Sequence, residues 1–373
     1  MPSWVASIIT IIRDLRCNDC MVLLMKTKSV YVLFFVLLFS WTGASVNVLI
    51  KKIGIDEKGR GFFKRTTDFV VADDKLIIAD FFGNNVLSFD YSESAISFSH
   101  FIGHPGQGPG DLQKPFALSA DHDRVAVKDQ ESISVFNANG TFLQKFKQFS
   151  KFISFLLLND RIYYCDSNPI SKKLISIYDL KGNLISSIVE KRLPARSGEL
   201  GALSGFREKL LYDGVLLSDG KCLYFVSRYF GFVEKYSMSG ELLLTSSPLL
   251  EHDDNTKAKL AVNKRELLDS ADLKLENGRP RCLELFLDCC SDGEYAYILM
   301  TQFDAIERKP IPQIDIRRIN LSDLRLSHSY SLEIGNDEWL SHLRVKKSSN
   351  GPIFIIDLRS ASEEGLFELH PAT

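Results

Sequence analysis

The side chains best suited to chemistry in this 373-residue chain are spaced in ways that exclude most of it. Its seven histidines (His100, His104, His122, His252, His328, His342 and His370) form no H-x-H or H-E-x-x-H pair, so no helix face is encoded that would hold zinc. No serine stands in a G-x-S-x-G context that would raise it as a nucleophile on a strand-to-helix turn. Cys17 and Cys20 make a C-x-x-C, but without a second pair it is weak as a metal site. The stretch "GHPGQGPGDLQKP" (103–115) resembles a phosphate loop in glycine content. Asp111 stands where a third glycine is required, Pro109 and Pro115 forbid the following helix, and no G-K-[ST] is present.

Two recurring sets of residues remain. Asp80, Asp129, Asp166 and Asp357 each end a β-rich run, where a carboxylate either faces loops that rim one end of the fold or caps the next turn through backbone amides. Capping has the simpler local cause and is the expected role. The second set lies in the loops that follow: "FFGNN" (81–85), "SNPISKK" (167–173), "SRYFG" (227–231) and "QFDAIERKP" (302–310). Exposed Phe81, Phe82, Tyr229 and Phe230 would form a ligand-binding surface, and Arg228 and Arg308 would anchor a carboxylate. The alternative is that these rings pack inside the fold.

The elements that must position these residues are repeated. "KLIIAD" (75–80) with "VLSFD" (86–90), "RVAVKD" (124–129) with "SISVFNANG" (132–140), and "RIYYCD" (161–166) with "LISIYDLKG" (174–182) share one pattern. "KCLYFV" (221–226) with "FVEKYSMSG" (232–240) follows it, and looser copies begin at "YAYILM" (295–300) and "PIFIID" (352–357). Each run is short, rich in β-branched and aromatic residues, and bounded by turn residues. The glycines ending "NANG", "LKG" and "MSG" supply the positive φ a hairpin needs. Adding the runs before and after each copy gives four antiparallel strands per unit. The expected fold is therefore all-β: a six-bladed β-propeller with four-stranded blades. A four-stranded sheet has two faces to cover, and radial stacking in a closed ring covers both. The last copy is incomplete, so "VNVLIKKIGI" (46–55) is expected to supply the missing strand of the sixth blade. Segments 190–212 and 248–281 exceed the repeat, and the second has helical periodicity around Ala258 to Leu275, read as a short helix projecting from the blades. The glycine-rich stretch then becomes the crossing between blades 1 and 2. Such a crossing, followed by these repeats, resembles the NHL-like six-bladed propellers, above all their exported bacterial branch. That resemblance implies a fold and a recognition surface, and it is sharp only over 65–189; Val226 and Met300 replace the aspartate in later units.

The N-terminal segment and composition set the setting. Residues 1–24 precede Met25, which is read as the true start. A basic Lys26-Thr27-Lys28, the apolar run Val30 to Trp41 and small residues to Ser45 describe a signal peptide over 25–45, cleaved after Ala44 or Ser45. The mature domain is then 46–373, exported to the periplasm or beyond, and touches a membrane only if the leader stays uncleaved. Five further cysteines are too few for a disulfide scaffold in a domain of this size. A net charge of −2 lacks the basic footprint of a nucleic-acid binder. The sequence thus points to an exported, non-catalytic binding module for a protein, peptide or carbohydrate, with no cofactor required. A calcium- or zinc-dependent hydrolase or lyase of propeller shape is the second reading. A structural role in a cell-envelope complex, docked through 248–281, is the third.

Overall fold

In a computed structural model, the chain divides into two units, 1–44 and 45–373. The structure describes residues 22–27, 30–35, 48–53, 64–92, 96–147, 154–165, 171–191, 209–250, 253–269, 275–276, 279–280, 282–305, 309–334, 338–348, 351–360 and 364–370. In the first unit the described residues are an antiparallel pair, Val22–Thr27 with Val30–Phe35. The expected cleavage site and the C-x-x-C lie outside the described residues. Among the described residues no helix is long and apolar enough to cross a membrane.

The second unit holds six four-stranded antiparallel sheets. Blade 1 spans 66–102, blade 2 117–147, blade 3 155–190, blade 4 214–246, blade 5 286–333 and blade 6 338–370. The innermost strand of each blade packs against the innermost strands of both neighbours, and that of blade 6 returns to blade 1. The ring is closed, and this is the six-bladed propeller the repeats predict. Blade 6 takes its outermost strand from the N-terminal Val48–Ile53, which pairs with Glu364–His370 in the register Leu49 to Leu369 and Ile53 to Leu366. Ile53 is buried with Phe69, Leu76, Ile355 and Leu366, so the two ends of the domain share one core.

Local chemistry explains the hairpins. Gly140, Gly182 and Gly240 have φ of 85°, 83° and 89°, and each follows a register shift in its blade. Each also abuts the outer strand of the preceding blade: a Cβ on Gly182 would lie 2.5 Å from the Phe146 ring, and one on Gly240 2.7 Å from Ile188. Gly220 has φ of 83° but open space around it. Gly220→Ala is therefore expected to cost only the left-handed backbone penalty, about 1–2 kcal/mol. Gly182→Ala carries that same backbone penalty plus the displacement of Phe146, so it should be the more destabilising of the two in chemical denaturation. Equal losses would remove the close blade-to-blade approach from the account.

The connections divide by face. Those joining inner to second strands and third to outer strands are short hairpins, such as 72–75, 121–124, 158–161 and 218–222. Strands joined second to third, and one blade to the next, meet their connections on the opposite face; the long connections 53–66, 102–117, 190–214, 246–286 and 300–313 are of these kinds. The expected helix is present as α1, Asp254–Lys264, extended by a wider turn over Arg265–Asp269. Asp253 caps it by accepting from the Asn255 amide at 2.9 Å. The helix does not project. Asn263, fully buried, donates to the carbonyls of Tyr229 and Leu283 and accepts from the Leu283 amide at 2.8 Å. Lys259, also buried, donates to the Thr301 hydroxyl at 2.6 Å, and burial holds its amine down to about 8. The insertion is thus laid onto blades 4 and 5.

Candidate functional site

The inner strands of all six blades line an axial cavity of about 1250 Å³. Its walls are joined blade to blade by polar contacts. The Leu118 amide donates to Asp68 of blade 1 at 2.7 Å, Leu157 to the Ser119 hydroxyl at 2.8 Å, and Leu216 to the Ser154 hydroxyl at 2.7 Å. Leu343 of blade 6 donates to Asp288 of blade 5 at 3.0 Å. Strand register places Asp68, Ser154 and Asp288 at one position of the repeat, in alternate blades.

Arg344 lies where three blades meet. Its guanidinium reaches Asp288 at 2.6 Å, pairs with Asp68 across the ring closure, and lies over the Phe69 ring at 5.5 Å. Burial raises the pKa of both carboxylates, and Arg344 opposes it. At Asp288 the guanidinium, helped by His342 and the Leu343 amide, brings the net below the usual range. At Asp68 burial wins and the pKa is raised. Nearer the loop-bearing face, burial likewise raises Asp213 against the pull of Arg228. Glu284, beside it at the surface, is raised by the surrounding walls and by Asp213.

These directions set a pH dependence. A carboxyl whose folded pKa is raised keeps its proton in the native state after the unfolded chain has lost it, so stability falls as pH rises through that window. Asp288 and Asp357, held low, act only below the ordinary carboxylate range. These raised carboxyls are expected to lower the unfolding free energy as pH rises above the ordinary carboxylate range of about 4, and Asp213→Asn should flatten that decline. A denaturation series across this range with identical slopes for both proteins would contradict it.

The expected site residues are not brought together. Phe82 is 53% exposed on the loop-bearing face, with Phe81 at 5.3 Å edge-to-face and Arg65 and Lys114 over the two rings. Tyr229 and Phe230 are buried, contrary to the exposed role expected, because they pack with Leu210, Leu211 and Leu260 beneath the inserted helix. Arg228 reaches the cavity wall, but its guanidinium is already engaged. It donates to the carbonyls of Leu287 at 2.7 Å and Phe286 at 3.3 Å, pairs with Asp213 at 3.4 Å, and covers the Phe286 ring. It joins blades 4 and 5 and is not available to anchor a ligand carboxylate. Arg308 and Asp166 lie outside the described residues.

The aspartates also separate. Asp129 caps its own turn, accepting from the Ser132 amide at 2.8 Å and the Glu131 amide at 3.1 Å. Asp80 instead grips the incoming crossing, accepting from the Lys64 and Arg65 amides at 2.9 and 3.0 Å. Asp357 is not their equivalent: cross-strand register places Leu358 opposite Gly365 as Asp80 is opposite Asn85. A one-residue offset sends its side chain to the other face. There it meets Ser341, His342 and Arg359. In blade 4 the same register puts Ser227, not Val226, at the aspartate position.

Among the described residues no three or more histidine, cysteine or acidic side chains are grouped to hold a metal ion. Cys165, Cys222, Cys282, Cys289 and Cys290 are free thiols. Burial raises the thiols of Cys289 and Cys290, which keeps them protonated and unreactive. Sequence reasoning missed Trp339, 48% exposed at the loop-bearing end of the blade 6 inner strand. It also missed Asp68, Asp288 and Arg344; their isolated charges within apolar strands were the available signal.

No protein family and no curated protein matches this sequence. Several solved structures are distantly similar in shape. A Bacteroides fragilis protein described as exported is 11% identical, with a TM-score of 0.45 and 95% of each chain covered. A Bacteroides thetaiotaomicron protein of unknown function is 13% identical, TM-score 0.44, covering 82% of this chain and 69% of that one. A streptogramin B lyase is 11% identical, TM-score 0.41, covering 87% and 96%.

Proposed function

We propose that this propeller is a non-catalytic binding module that works outside the cytoplasm and engages a peptide, protein or carbohydrate through its loop-bearing face. The observation that carries this reading is the separation of faces. The described strands that flank the long connections end on one side, around the cavity mouth, while the described connections of the other side are tight hairpins. Connections on such a face can carry side chains for recognition while the blades hold their ends in place. Exposed aromatics toward that face include Phe82 and Trp339, on the adjoining blades 1 and 6, with Arg65 and Lys114 beside Phe82 and Phe81. Flat rings flanked by cations suit sugar faces and acidic or aromatic peptide segments. The leader-like segment before residue 46 and the resemblance to exported NHL-like propellers support the location.

The test is a glycan and peptide array probed with the full chain. Phe82→Ala and Trp339→Ala should each weaken the captured ligand about tenfold or more, as central aromatic contacts do. A ligand held undiminished by both variants, but lost on changing Lys181 of a hairpin, would place the binding face on the opposite side.

A further inference from the structure

The wedge between blades 3 and 4 does not close completely. A cavity of about 180 Å³ remains there, walled by Tyr212, Phe225, Phe232 and Tyr236 and by the carboxylates of Glu190 and Glu234. Tyr212, Phe225 and Tyr236 are buried, and the rings of Phe225 and Phe232 are tilted at 49° with centroids 6.0 Å apart. The Tyr236 hydroxyl gives its proton to Glu234, so it presents only lone pairs to the space. Glu190 is paired with Lys173 at the margin, whereas Glu234 forms no ion pair among the described residues. The Lys191 ammonium already stands over Tyr212, 5.0 Å from its centroid, so a second cation would meet the Phe225 and Phe232 rings and Glu234 instead.

Aromatic faces are electron-rich, and with the Glu234 carboxylate beside them they make a cavity that favours positive charge. We propose that the cleft is a binding site for a small quaternary ammonium group. Ring faces take up a methylated ammonium without needing hydrogen bonds from it, and the Glu234 carboxylate supplies the opposite charge. The volume suits a few heavy atoms, since a single water occupies about 30 Å³ of liquid. The site lies between blades 3 and 4, toward the loop-bearing ends of their strands and on other blades than Phe82 and Trp339, which stand on blades 1 and 6.

Choline and its uncharged isostere 3,3-dimethylbutan-1-ol, titrated into the full chain and followed by NMR shifts of blade 3 and 4 residues, test this. Choline should saturate in the millimolar range, with the alcohol about tenfold weaker, the margin a desolvated cation–aromatic contact provides. Glu234→Gln should weaken choline about fivefold, and Phe232→Leu by a similar factor, with the alcohol little changed. Equal binding of the two probes, or no saturation by choline at about 100 mM (weaker than about 1.4 kcal/mol at the 1 M standard state), overturns the proposal. So does wild-type choline affinity in Phe232→Leu, which decides the matter if Glu234→Gln does not fold.

Discussion

Replacing Arg344 by methionine is expected to cost about 3–5 kcal/mol of unfolding free energy, the loss typical when one partner of a buried ion pair is removed. Arg344 serves two carboxylates from different blades, Asp288 and Asp68, and its own blade lies between theirs. Methionine keeps much of the side-chain volume but leaves both acids buried without their cation. They must then take up protons to remain in place, so the loss should be largest near neutral pH and shrink in acid. A triple variant, Arg344→Met with Asp68→Asn and Asp288→Asn, should recover most of the stability, because it removes the two unpaired buried charges while each amide oxygen still accepts from the Leu118 and Leu343 amides. Urea denaturation of the three proteins checks both claims. A single variant as stable as the parent would show that the ring closes without this contact.

Breaking the shared blade should have an effect at least as large. Ile53 is 1% exposed, in the strand that pairs with the last strand of the domain. Ile53→Asp puts an unpaired charge among Phe69, Leu76 and Leu366, a change in the class that costs about 4 kcal/mol or more. That is a large fraction of the roughly 5–15 kcal/mol that holds a domain together. The expected result is an expanded, aggregation-prone protein, because release of Val48–Ile53 bares the edge of Glu364–His370. Ile53→Val, which keeps the shape, should lose only about 0.5–1.5 kcal/mol. Monomeric, cooperatively melting Ile53→Asp protein would contradict the shared blade.

Much of this fold was written in strand periodicity and turn chemistry. The alternation of "KLIIAD" and its copies, and the glycines at 140, 182 and 240, fixed strands, hairpins and their number, since a period of two and a positive φ have local causes. The shared sixth blade was legible from an incomplete last copy and an unmatched strand at the start. Register was less so. Asp357 looked like Asp80 because both end a similar string, yet pairing with the third strand offsets it by one residue. The binding residues were least legible. Whether Tyr229 is exposed depends on where residues 254–269 settle, and that is decided by distant partners such as Asn263 and Leu283. Arg228 shows the same limit: its type suggested a ligand, and its neighbours in blade 5 had already claimed its donors.

The most direct test of the closed ring is native-state hydrogen exchange at 49–53 and 366–369. The paired ends of blade 6 should exchange together, with protection close to that of the inner strands of blades 1 to 5, because they open only when the ring opens. Rapid exchange at 49–53, with blades 1 to 5 still protected, would mean that the first strand is not the clasp and that the ring does not close as described.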